Sequence, residues 1–149
     1  MDAKTKKLLK PLADVYAKAP ALPVSAKDFL VMVAPWAALI LGVLALLGSI
    51  SGLGLFSMFS SVAYMYAGAG YSTFFLLSAV VGIVEGVILL LAFVPLRKRK
   101  IRGWNLLVWS EVLGVVGAVV SLSVGSIVWA VVVAAIAFYL LFQMESYYK

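Results

Sequence analysis

Residues 88–104 read ILLLAFVPLRKRKIRGW. Apolar side chains fill the first half, five cations crowd the six positions from Arg97 to Arg102, and Gly103-Trp104 opens another apolar run. A bilayer centre rejects Lys and Arg at about 2.5–3.5 kcal/mol each, so the basic block must stay in water while both flanks enter lipid. The stretch is therefore the turn of a tight helical hairpin between two membrane spans. Cytoplasmic loops retain Lys and Arg, which places this turn in the cytoplasm.

The rest of the chain repeats that logic. All 12 Lys and Arg fall in the tail up to Lys27, in Arg97–Arg102 and at Lys149, with long apolar segments between them. The 149 residues are 65% hydrophobic and 12% charged, with mean hydropathy +1.13, far from the composition of a soluble domain. A span needs about 20 apolar residues. The expectation is an all-α membrane protein: one domain, a four-transmembrane-helix bundle with an N-terminal cytoplasmic interfacial segment. The spans are expected at about 28–50, 73–96, 104–123 and 126–144. Both termini are expected in the cytoplasm and the chain in the cell inner (plasma) membrane.

The tail, residues 1–27, interleaves Lys4, Lys6, Lys7, Lys10, Lys18 and Lys27 with Leu8, Leu9, Leu12, Val15 and Tyr16, a pattern for lying at an anionic surface. Pro11, Pro20 and Pro23 argue against one long helix, so the tail reads as solvated with a short interfacial turn. Pro35 falls in the early turns of the first span, where a missing amide is best tolerated. Residues 51–72 carry Gly, Ser and aromatics without charge and read as an external interfacial or re-entrant segment, with Phe56, Phe59, Tyr64, Tyr66 and Tyr71 at headgroup depth. Gly82 and Gly86, Gly114 and Gly117, and Ala130 and Ala134 read as packing faces.

The net charge of +6 flanks apolar spans, so it sets orientation and meets anionic lipid headgroups rather than nucleic acid. The headgroup contacts expected are Arg97, Lys98, Arg99, Lys100 and Arg102. Cys and His are both absent, which removes thiolate chemistry, the commonest general base and the usual haem ligand. No catalytic residue, metal site or cofactor is expected.

Two ionisable residues lie inside apolar spans, Glu85 and Glu111. A carboxyl there is costly unless protonated or partnered. Glu85 shares a face with Ser78, Gly82, Leu89 and Ala92, and Glu111 with Trp104, Leu107, Gly114, Val115 and Ala118. Counted from the hairpin turn, the two differ in depth by about one helical turn. Glu85, Glu111, Ser78 and Ser110 thus form the candidate intramembrane polar site: a proton- or cation-responsive pair, or neutral interhelical glue bonded to Ser110, to backbone or to each other.

From Pro95 to Lys149, the basic hairpin loop, the Gly103-Trp104 entry, the Ser110-Glu111 pair and the aromatic ending AFYLLFQMESYYK resemble small four-span membrane proteins of reduced-genome bacteria. The resemblance implies four spans with both termini inside and supplies no substrate. Small multidrug transporters are also four-span proteins, but their essential glutamate lies in the first span, and this chain has none between Asp28 and Ile50. Two function classes follow. One is a structural or accessory membrane protein, a subunit of a larger assembly; the other is a small oligomeric proton- or cation-coupled transporter or channel using the two carboxyls. The expected partners are the bilayer, its anionic headgroups, and further copies or a larger membrane complex.

Overall fold

The computed structural model describes the backbone of residues 3–121 and 123–149 and, within them, all side chains except those of residues 3–9, 63, 64 and 66–72. Helix α1 is Ala3–Tyr16, α2 is Val24–Arg97, α3 is Ile101–Val120 and α4 is Val124–Met144, with a 3-10 turn at Glu145–Tyr147. Four stretches are long and apolar enough to cross a bilayer: the two arms of α2, Val24–Val62 and Thr73–Arg97, then Ile101–Val120 and Val124–Tyr147. The protein is an all-α, multi-pass membrane bundle of four helical spans. The tight basic hairpin is present, its turn confined to Lys98–Lys100.

Side-chain pairs fix the direction of the α2 arms. Trp36 meets Phe93 edge to face with ring centres 5.5 Å apart, Gly42 faces Gly86, Ser49 faces Gly82, and Phe56 stacks on Phe75 at 4.8 Å. One number rises as the other falls, so the arms run antiparallel. They close most tightly at the glycines: a Cβ on Gly42 would stand 3.0 Å from the Gly86 carbonyl oxygen, and one on Gly86 would stand 2.8 Å from Leu46 Cγ. Small residues permit this approach in lipid, where dispersion rather than water exclusion holds helices together. Gly82 and Gly86 are thus packing positions within the chain, as their spacing suggests.

The densest packing lies at the basic end. Leu96, Trp104 and Val108 are fully enclosed, surrounded by Val31, Ala34 and Ala38 of the first arm and by Phe138, Leu141 and Met144 of α4. Trp104 Nε1 donates to the Leu141 carbonyl at 2.8 Å, and its ring meets Phe142 edge-on at 5.9 Å. The chain end completes this base. Ile101 N donates to the Lys149 carbonyl at 2.9 Å, and Lys149 N donates to the Arg99 carbonyl at 3.0 Å. Tyr148 is buried there; its hydroxyl has no hydrogen-bond partner among the described residues. Burial pushes its phenol above the ordinary tyrosine value, against the opposing pull of the Arg99 charge.

Three expectations need correction. Residues 51–72 read as an external interfacial or re-entrant segment, but α2 runs on as helix past Ser51, its first arm described as far as Val62. A glycine costs about 1 kcal/mol in a helix, whereas a backbone group left unpaired in hydrocarbon costs several, so the helix persists. Ser57 and Ser60 turn their hydroxyls onto the Gly54 and Ser57 carbonyls at 2.7 and 3.2 Å, which hides their polarity. Phe56 and Phe59 therefore stand on this helix, while Tyr64, Tyr66 and Tyr71 lie outside the described side chains. Second, the helix starts at Val24, which puts Pro35 in its interior rather than its early turns.

Third, the tail, exposed along most of its described length, is tied to α4 between Tyr16 and Leu22. Helix α1 passes through Pro11, and the connection after it is pinned to α4. The Tyr16 hydroxyl donates to the Ala135 carbonyl at 3.1 Å, and its ring stacks on Phe142 at 5.6 Å. The Tyr139 hydroxyl donates to the Pro20 carbonyl at 2.7 Å. Gln143 also donates to Pro20 and accepts from Leu22 N, both at 3.3 Å. The lysine side chains at positions 4, 6 and 7 lie outside the described residues.

Candidate functional site

The second arm of α2 and α3 form the hairpin that positions both glutamates. Gly103 abuts Leu96, Gly114 lies against Glu85, and Gly117 against Val81. Glu85 Oε1 stands 3.3 Å from the point where a Cβ of Gly114 would be. Glu111 precedes Gly114 by three residues, so it sits about 4.5 Å nearer the basic end at 1.5 Å per residue. The two line the same cavity, with the depth offset that their sequence positions imply.

Both carboxyls line one cavity of about 420 Å3. Its floor is Glu85, Leu89, Ser110, Glu111 and Gly114; one wall is Leu41, Leu44 and Ala45 of the first arm, and the other is Trp129, Ala130 and Val133 of α4. The cavity is a cleft because these walls pack on the central hairpin and hardly on each other. Leu44 and Trp129, at 58% and 70% exposure, leave its sides open to the membrane. A second cavity of about 220 Å3 shares Leu41, Leu89, Ser110 and Glu111 and runs toward Met144 at the base. Glu111 therefore faces both spaces, and Glu85 faces the outer one alone.

Ser110 belongs to the site; its hydroxyl donates to the Leu107 carbonyl at 2.8 Å, so it meets a ligand as an acceptor. Ser78 does not. It lies two turns beyond Glu85, lines neither cavity and donates to the Phe74 carbonyl at 2.9 Å, the usual self-satisfaction of a serine in an apolar helix. Among the described residues, neither glutamate is held by a hydrogen bond or an ion pair. Two carboxyls and one hydroxyl offer too few oxygens for the six to eight of calcium, and suit a proton or an organic cation. Trp129 adds an aromatic face that attracts cations.

The basic residues Arg97, Lys98, Arg99, Lys100 and Arg102 are all exposed at the dense end. Among the described residues Arg97 has aromatic neighbours, its guanidinium carbon 5.8 Å from the Trp36 ring centre and 5.6 Å from that of Phe93. Asn105 is buried. The cleft walls escaped sequence reasoning, since Leu41, Leu44 and Trp129 differ in no local way from other apolar residues facing lipid. No family model, curated protein or solved structure matches the chain.

Proposed function

We propose that the cleft is a proton-exchanging cation site, and that the protein is a small proton- or cation-coupled membrane transporter working as a homo-oligomer. One observation carries this reading: both intramembrane carboxyls line a single cavity between the first and fourth spans. Lone carboxyls at this depth are expensive to retain, and the described residues provide neither with the hydrogen bonds of a structural pair. Leucine walls, a tryptophan face and negative charge together fit a lipophilic organic cation that enters from the side and displaces a proton. The sharing of lipid-open walls with a second copy is what makes an oligomer part of the reading. The concentration of cations at one end supports a plasma membrane orientation with both termini in the cytoplasm.

Tetraphenylphosphonium added to the purified protein in weak buffer should release protons, and Glu85→Gln and Glu111→Gln should each remain folded but release fewer. An absence of proton release from the unmutated protein at saturating cation would remove the proposal. An accessory role in a larger assembly draws on a different feature. Leu55, Met58, Phe59 and Val62 are exposed where the first arm runs past the part of the bundle covered by α3, a surface that a partner helix could cover. Under that reading the chain migrates with a larger complex on native gels, and both glutamine variants function normally.

A further inference from the structure

Arg97 divides two hollows at the basic end. One, of about 210 Å3, is bounded by Val31, Met32, Pro35, Trp36, Arg97 and Arg99; the other, of about 240 Å3, by Phe93, Val94, Arg97 and Lys98. The first combines two guanidinium groups at one end with an apolar floor that continues along the first membrane span. The Arg97 guanidinium lies within cation–π distance of Trp36 and Phe93, and it carries more N–H donors than those contacts use, the donors that grip phosphate oxygens in pairs. Asp28, one turn before Val31, is engaged by the Tyr147 hydroxyl instead.

We propose that Arg97 and Arg99 hold the phosphate of an anionic phospholipid whose acyl chain lies along Met32, Pro35 and Trp36. Charge complementarity selects the headgroup. The apolar groove selects a lipid over free phosphate, because inorganic phosphate gains nothing from Met32 or Trp36. Of the five basic residues in the loop, Arg97 is the one fixed by aromatic contact, so the site depends on it rather than on the summed charge. This site is separate from the carboxyl cleft and stands or falls independently of it.

Native mass spectrometry of the detergent-purified protein tests it, with phosphatidylglycerol, phosphatidylcholine and inorganic phosphate as probes. One phosphatidylglycerol should stay bound under activation that strips phosphatidylcholine. Arg97→Gln should weaken its retention at least tenfold, while Lys100→Gln should change it less than twofold. Met32→Trp, which fills the groove and leaves the charges intact, should weaken it comparably to Arg97→Gln. Equal retention of phosphatidylcholine, displacement by millimolar inorganic phosphate, equal losses in Arg97→Gln and Lys100→Gln, or an unaffected Met32→Trp would each overturn the proposal.

Discussion

At Gly103 a side chain has no room: a Cβ would stand 2.6 Å from Leu96 N and 2.9 Å from the Pro95 carbonyl carbon. Both neighbours are backbone, so the hairpin itself must part, and Gly103→Ala should destabilise the bundle by about 1–3 kcal/mol, read as a lower thermal midpoint in detergent. Tyr148→Phe should act in the opposite sense. Its buried hydroxyl lacks a partner among the described residues, so removing it relieves an unmet desolvation cost of about 1–3 kcal/mol. Because burial raises the folded phenol above the unfolded value near 10.0, stability falls as pH rises past that value; Tyr148→Phe should remove that alkaline loss. For the carboxyls, substituting one glutamate should shift the infrared band of the other, and unchanged bands would mean the two do not communicate. Glu85 and Glu111 were legible because a charge in an apolar run is conspicuous. Trp129 was not, since only the fold reveals that its ring walls a cleft.

Among the elements, the spans and the basic hairpin were legible from charge placement and length, and the small faces of the two central helices from three- and four-residue spacing. The continuation of α2 past Ser51 was not. Glycine propensities describe helices in water, where an opened backbone finds new partners; in lipid it finds none. Amides from Leu53 to Val62 should accordingly exchange slowly in nanodiscs, and rapid exchange there would contradict the continuous helix. The docking of α1 was equally hidden, because Tyr16 meets Ala135 at a sequence separation of 119. Replacing both Tyr16 and Tyr139 with Phe removes two of its anchoring bonds, and should speed tryptic cleavage at Lys18 while leaving the spans intact.

For the whole molecule, the decisive asymmetry is a dense basic end and a cleft above it. With no native cysteine, single cysteines at Lys98, Ser123 and Lys149 can report sidedness cleanly. An impermeant thiol reagent outside the cell should label position 123 alone, and labelling at 98 would reverse the orientation. A cross-linker joining Leu44→Cys to Val133→Cys, on opposite walls, should abolish cation-driven proton release without lowering the melting temperature.

The 39 residues from Val24 to Val62 make about 58 Å of helix at 1.5 Å per residue, against a hydrocarbon layer of about 30 Å. Even at a tilt of 40°, the upper end of what such helices show, it rises about 45 Å. That helix also supplies one of the two walls of the cleft, through Leu41 and Leu44. Because a long helix leans to fit the bilayer, proton release driven by tetraphenylphosphonium should vary with the acyl chain length of the surrounding lipid.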